Sequence, residues 1–534
     1  MGPPYAEIDL HASPPRVSFP RLYNAAVDLV ERHLAEGRGD RVAYRDDRGE
    51  LTYRELAERV NRAGNALLSL GVEPEQRVVL LMLDTIDFPA VFLGAIKIGA
   101  VPVPVSTLLT PEDIRYILED SRARAVVVSD ALHPKLAAAQ AAARAKKPNV
   151  LIASSPHARA EDGVTSTLDD HLAKASASLD AAPTTPDDIA FWLYSSGSTG
   201  APKGTLHLHA HLVRTAVFYA QRVLGVREGD VVYSAAKLFF AYGLGNSLTF
   251  PLSVGATAVL TADRPTPEVV GRMMRDHRPT LFCGVPTLFA SLLANPAFMQ
   301  GGVSPALRVS TSAGEALPRH VGEAWRERFG TDILDGIGST EMLHIFISNR
   351  PGNVRYGTSG TPVPGYELKL VGDDGEPVGE GEEGSLWVRG LTAATSYWNN
   401  RERSLATFHG PWTRTGDRYV RDSDGYYIYS GRADDMLKVG GIWVSPFEVE
   451  SALSAHASVL EAAVVGQPDQ EGLIKPKAYV VLKGSGEGSA DLIEELKQFV
   501  KGRLAPYKYP RWIEFVPELP KTATGKIQRY KLRG

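Results

Sequence analysis

Two unbroken apolar runs, from Val78 to Leu83 and from Ala125 to Val128, alternate with helical patterns, and this alternation constrains the fold more than any other feature. A strand with one wet face alternates polar and apolar residues, whereas a run such as Val-Val-Leu-Leu is buried on both faces. Burial on both faces needs helices on both sides, which is the layout of an α/β protein with mainly parallel strands. The flanking segments supply those helices. From Leu51 to Gly71, Thr52 and Glu55 stand at capping-box spacing, and Leu56, Val60, Ala63 and Leu67 recur at helical intervals. Gly71 stands where a C-terminal cap belongs. A second helical pattern runs from Phe88 to Ile98.

A chain of 534 residues exceeds one hydrophobic core, so two or more domains are expected. The character changes after about Gly431. Ser445-Pro446-Phe447-Glu448 combines an N-cap, a first-turn proline and a capping-box glutamate. Strands from Ala462 to Val465 and from Ala478 to Leu482 follow, then an amphipathic helix from Asp491 to Leu504. The expected division is a large N-terminal domain over 1–431 and a small α/β domain over 432–534. The stretch from Ser154 to Pro186, rich in Ala, Ser, Thr and Asp, reads as a surface connection, and there are no internal repeats.

Several function classes drop out. A net charge of −4 gives no global pull toward nucleic acid or an anionic membrane. The longest apolar stretch, near Val91 to Val105, contains Lys97 and two prolines and is too short to cross a bilayer. The N-terminus carries Glu7 and Asp9 and lacks a signal core. The single cysteine, Cys283, excludes an internal disulfide and multi-cysteine metal sites; its apolar surroundings suit an inert thiol. A soluble, cytoplasmic enzyme is the expectation.

The chemistry first shows in Tyr194-Ser-Ser-Gly-Ser-Thr-Gly-Ala-Pro-Lys-Gly204. Turned glycine backbone offers N–H donors that converge on an anion. The order differs from the common nucleotide loop, since Lys203 follows Pro202 and precedes Gly204. The stretch is a different phosphate loop or a flexible linker. Further short motifs follow in fixed order: Ser312-Ala-Gly-Glu-Ala-Leu-Pro318, Asp335-Gly-Ile-Gly-Ser-Thr-Glu341, Thr415-Gly-Asp417, Gly431-Arg-Ala-Asp-Asp435 and Pro520-Lys-Thr-Ala-Thr-Gly-Lys526. Singly each has a plain reading, such as a β-turn or a solvated acidic pair. Together they are highly specific.

The set resembles the adenylate-forming superfamily of acyl- and aryl-CoA synthetases, nonribosomal adenylation domains and beetle luciferase, from about Leu51 to the end. The resemblance implies that Ser195, Ser196, Gly197, Ser198, Thr199, Gly200 and Lys203 embrace the β- and γ-phosphates of ATP. Thr340 would bond the α-phosphate and Glu341 would hold Mg²⁺. Ala313, Gly314 and Glu315, with Ala316, would line adenine, whose amino group Asp335 would accept. Asp417 would accept from the ribose hydroxyls, with Arg432 nearby. Lys526 would bridge the substrate carboxylate and the α-phosphate, offsetting the repulsion between two anions. Gly440 and Gly441 would let the pantetheine thiol of coenzyme A pass, or form a plain hairpin turn. The small domain would rotate about a hinge at Asp434 to present Lys526 and the glycines in turn.

From Ala235 to Asn246 the sequence resembles benzoate–CoA ligases and their hydroxybenzoate relatives. By that match Ala241, Tyr242, Gly338, His344 and Ile345 wall a flat pocket, with Lys438 near the carboxyl end. Phe239, Phe240 and Leu244 read as core. His344 is expected as pocket wall rather than catalyst, with a satisfied core histidine as the alternative. An amino-acid-activating relative would place a carboxylate in this stretch, and nothing from Val231 to Ala262 is acidic. The expectation is Mg-ATP-dependent ligation of benzoate or a close aryl acid to coenzyme A, with a homodimer left open. The alternatives are a hydroxybenzoate or medium-chain acid ligase, a stand-alone enzyme loading a carrier protein, a luciferase-like oxygenase, and a nucleotide-binding regulator or ATPase.

Overall fold

A computed structural model describes residues 4–142, 148–156, 167–195, 202–433, 435–439, 442–470, 473–484, 488–505, 508–521 and 527–533, without the side chains of Lys438, Ile442 and Trp443. The apolar runs form the strands Arg77–Leu81 and Ala125–Ser129, neighbours in a four-stranded, all-parallel sheet. Val101–Pro104 lies at its edge, where two prolines cost no ladder bonds. The helix Tyr53–Ser69 opens on Thr52, whose hydroxyl accepts from Glu55 N–H at 3.2 Å while the Glu55 carboxylate accepts from Thr52 N–H at 2.7 Å. Leu56, Val60, Ala63 and Leu67 are buried, and Gly71 takes a φ of +71° just past the end.

A nine-stranded sheet carries the site. Its central six strands, Ile333–Gly338, Val309–Ser312, Leu281–Gly284, Val231–Ser234, Thr257–Val259 and Val42–Asp46, run parallel in that spatial order. Antiparallel strands close both ends. A third unit, from Tyr366–Val371 to Tyr427–Arg432, is antiparallel throughout.

The last hundred residues build their own core around Val444, Val449, Leu453, Val464, Val480, Leu496 and Val500, so they form a separate small domain. Its sheet orders Val459–Pro468, Ile474–Leu482 and Trp512–Phe515, backed by the helices Pro446–Ser454 and Ala490–Lys501. Cys283 is buried, and desolvation pushes its thiol up to about 12, so it is inert.

Two expectations need correction. The stretch from Ser154 to Pro186 is more than connection: it holds the helix Thr167–Lys174, whose Leu168 and Leu172 are buried. Ser445 does cap its helix by accepting from Glu448 N–H at 3.2 Å, but the Glu448 carboxylate pairs with Lys508 at 2.6 Å instead of closing a box. Asp435 is half-buried and ion-paired, with Arg529 and Arg533 at 3.5 and 2.5 Å.

Candidate active site

Parallel strands of an open α/β sheet deliver their C-terminal ends to one rim, where ligands bind. Val309–Ser312 and Ile333–Gly338 are neighbours there, with Ser312 opposite Asp335. The chain leaves Ser312 through Ala313 and Gly314, whose φ of +100° suits a residue without Cβ. Asp335 is 4% exposed, and its Oδ1 has no hydrogen-bond partner. Burial raises its pKa well above the usual carboxylate range, although the N–H groups of Leu317 and Gly336 favour the charged form. Beside it lies a cavity of about 90 Å³ lined by Leu317, Thr358, Tyr429, Phe447 and Ser451 among others. Phe447 and Ser451 belong to the first helix of the small domain, so both domains wall this space. Tyr429 meets Phe447 edge-on at 5.2 Å.

The small domain also touches the turn itself. Ile527 N–H donates to Glu315 Oε1 at 3.1 Å, which brings the residue after Lys526 to the Ala313–Leu317 turn. Asp417 and Arg432 face each other across paired strands, with the guanidinium 3.4 Å from the carboxylate. Gly416 has a φ of +79°, and a Cβ there would lie 2.9 Å from Arg432.

Ser195 and Lys203 end two antiparallel strands and lie opposite one another. Ser196 to Gly200 fall outside the described residues, as do Asp434, Gly440, Gly441 and Lys526. The strands Leu437–Val439 and Ile442–Val444 on either side of the glycine pair are antiparallel partners. Lys203 is half-buried, and desolvation lowers its pKa against the pull of Glu341. Its ammonium lies 4.4 Å over the ring of Tyr397, whose hydroxyl donates to Glu341 Oε1 at 2.7 Å. The Thr340 carbonyl is held by His207 Nε2 at 2.8 Å, and the Glu341 carbonyl accepts from Ala394 N–H at 2.7 Å. Burial pushes His207 down to about 4, so it is neutral and donates from Nε2. Tyr397 and His207 were missed by sequence reasoning: neither stands in one of the motifs.

Ala241 opens a short helix and Tyr242 follows, its hydroxyl 2.7 Å from Thr311 Oγ1. His344 is 3% exposed and packs against Tyr219, Tyr242 and Phe250, with ring centroids 5.5, 5.5 and 4.5 Å away. Its Nε2 lies 3.2 Å from the Tyr242 carbonyl, and burial pushes its pKa to about 3. A histidine so buried titrates far below neutrality and moves no proton at pH 7. Ile345 is buried and pairs with Gly338, where a Cβ would come within 2.5 Å of the His344 carbonyl oxygen. The five residues Ala241, Tyr242, Gly338, His344 and Ile345 therefore form one neighbourhood. Phe239 and Leu244 are core, whereas Phe240 is half-buried. Lys438 lies in the strand Leu437–Val439.

Among the described residues, no group of three or more His, Cys, Asp or Glu could hold a metal ion, and no helix is long and apolar enough to cross a membrane.

Comparison with known proteins converges. The chain is 59% identical over 524 residues to a benzoate–CoA ligase of Thauera aromatica, covering 98% of each. A benzoate CoA ligase from Burkholderia xenovorans LB400 superposes with a TM-score of 0.88 at 53% identity, over 96% of this chain and 100% of that one. An anthranilate CoA ligase in complex with anthranoyl-AMP superposes with a TM-score of 0.91 at 45% identity, over 96% of this chain and 97% of that one. The model of the AMP-binding enzymes matches residues 31–398, and that of their C-terminal domain matches 448–526. The chain belongs to the AMP-binding enzyme family.

Proposed function

We propose that this protein is an acid–thiol ligase that joins benzoate, or a close aryl carboxylate, to coenzyme A at the cost of ATP. The observation that carries the reading is a neighbourhood of Tyr242, His344 and Ile345 beside an adenine-sided turn, in a chain so similar to a benzoate–CoA ligase. The first step forms a bond from a benzoate oxygen to the α-phosphorus as the α–β bridge breaks and pyrophosphate leaves. In the second, the thiol sulfur attacks the carbonyl carbon, the acyl C–O bond breaks so that AMP departs with the oxygen that benzoate supplied, and the thiol proton passes to solvent.

Each residue has a part in that chemistry. Asp335 offers its unpartnered Oδ1 to the adenine amino group, and Ala313 to Glu315 flank the base. Asp417 receives the ribose hydroxyls, with Arg432 holding its carboxylate. Ser195 to Gly200 and Lys203 take the β- and γ-phosphates, and Thr340 the α-phosphate. The Glu341 carboxylate suits Mg²⁺, which is held by one or two carboxylates together with phosphate oxygens rather than by an all-protein cage, and no group of three or more such ligands is present among the described residues. Bound there, the ion would neutralise phosphate charge. Lys526 draws the carboxylate and α-phosphate together, and the Ile527 contact to Glu315 suits the pose for that step. Rotation near Asp434, between domains taken as 1–431 and 432–534, would then bring Gly440 and Gly441 to the thiol. Lys438 would lie by the carboxyl end of the acid. A cytoplasmic setting suits two intracellular co-substrates.

An assay of thioester formation against benzoate, hydroxybenzoates, 2-aminobenzoate, octanoate and acetate tests the reading. A slot for one ring penalises each methylene-sized mismatch by about 1–3 kcal/mol. Benzoate or a small ring derivative should lead in kcat/KM. Preference for octanoate or acetate would refute the aryl pocket while leaving adenylation standing, and ATP turnover to ADP without acid would refute both.

A further inference from the structure

Tyr397 lies outside every motif, yet it touches two of the groups assigned to the triphosphate. Its segment is clamped along its length. Thr395 N–H donates to the Leu206 carbonyl at 3.1 Å, Leu206 N–H to the Ser396 carbonyl at 3.1 Å, and Trp398 N–H to the Gly204 carbonyl at 2.8 Å. The residues therefore lie antiparallel beside the strand that begins at Lys203, with Tyr397 opposite Thr205. Upstream, Ala394 N–H holds the Glu341 carbonyl. Downstream, the Trp398 ring lies 4.6 Å from that of Trp192 and its Nε1–H donates to the Asp120 carbonyl at 2.9 Å. One short stretch is thus fastened both to the strand of the lysine and to the loop of the glutamate.

The side chain exploits that placement. Tyr397 is 4% exposed, so its hydroxyl is largely shielded from bulk water. It donates to Glu341 Oε1 at 2.7 Å, and no hydrogen bond to Oε2 is present among the described residues. A glutamate turns about three χ angles; a donor fixed by a rigid ring removes most of that freedom. The ring face, meanwhile, lies under the Lys203 ammonium at 4.4 Å, a distance at which the quadrupole attracts the cation. Burial and the nearby carboxylate both raise the phenol's pKa, so it remains a donor across the working pH range.

We propose that Tyr397 is a positioning residue: its hydroxyl turns Glu341 so that Oε2 faces a metal on the triphosphate, and its ring holds Lys203 toward the same phosphates. This rests on the metal and phosphate roles given to Glu341 and Lys203 above.

The test uses the full chain with ATP and Mn²⁺, whose free fraction is read by electron paramagnetic resonance. Tyr397→Phe keeps the ring and loses the donor to a charged acceptor, so Mn²⁺ affinity of the ATP complex should fall roughly tenfold. Benzoate KM should stay within about twofold, which a general loss of packing would not allow. Tyr397→Leu should in addition weaken metal-free ATP binding several-fold, because the face under Lys203 is gone. In a Glu341→Gln background, adding Tyr397→Phe should change nothing further, as non-additivity marks action through one partner. Unchanged Mn²⁺ affinity in Tyr397→Phe, beside a weakened Glu341→Gln, would overturn the inference alone. Unchanged affinity in Glu341→Gln would overturn the metal role itself, and the inference with it.

Discussion

Asp335→Asn should invert the purine preference of the enzyme. The Leu317 and Gly336 N–H groups donate to the Asp335 carboxylate, while Oδ1 lies without a partner. In asparagine only the carbonyl oxygen can accept from those two donors, so the NH₂ must point where Oδ1 pointed. It would then face the 6-amino group of adenine, donor against donor. Leaving a buried donor unsatisfied costs about 1–3 kcal/mol, so ATP should lose roughly 5- to 150-fold in benzoate-dependent pyrophosphate exchange. Inosine triphosphate carries an acceptor at the same position and should gain by about 0.5–1.5 kcal/mol. The ratio of the two activities should move by roughly a hundredfold. Stability supplies a second, independent readout. Above pH 3.8 the unfolded carboxyl ionises while the buried one keeps its proton, so the native state binds more protons and stability falls as pH rises toward the raised pKa. The asparagine variant escapes that loss. It should melt above the parent at pH 7 and converge with it near pH 3. An unchanged ATP-to-inosine-triphosphate ratio would refute the adenine contact, and a variant melting lower at pH 7 would refute the account of the buried charge.

Lys526→Ala should slow adenylation by about 3–4 kcal/mol, or 10²- to 10³-fold, yet spare thioester formation from supplied benzoyl-adenylate; equal losses in both half-reactions would contradict a role confined to the first. Acid should unfold the protein early, because His33, His207 and His209 are held at about 4 and His344 at about 3, all depressed by burial. Their stabilisation is fully present above pH 6.5 and lost as pH falls toward 4, at about 2 kcal/mol each by pH 5. Calorimetric melting temperatures that stay flat from pH 7 to 5 would refute it.

What could be read in the sequence follows the range of the forces involved. Local signals served well: Thr52 and Glu55 fix a helix start within three residues, and both apolar runs became central parallel strands. That Tyr242 and His344 lie together was expected from the resemblance of Ala235 to Asn246, and the structure brings their rings to 5.5 Å. Composition misled where tertiary contact decides. The Ala/Ser/Thr-rich stretch conceals the helix Thr167–Lys174 because only two leucines, spaced four apart, anchor it. Glu448 looked like a capping residue until Lys508, 60 residues away, claimed its carboxylate. Tyr397 had no local signal at all. Its significance comes from lying across Thr205 and beside Glu341, contacts spanning 192 and 56 positions that no spacing rule encodes.

The cavity beside Asp335 has walls from both domains, and that couples domain position to the nucleotide proposed to lie there. A base held at Asp335 would bear on Phe447 and Ser451 of the small domain as well as on Leu317 and Tyr429 of the large one. The affinity measured at equilibrium is then the intrinsic affinity scaled by the fraction of molecules with the helix Pro446–Ser454 placed to receive the base. Any change that shifts that helix, even one remote from every phosphate and base contact, would alter the apparent affinity for ATP and AMP alike.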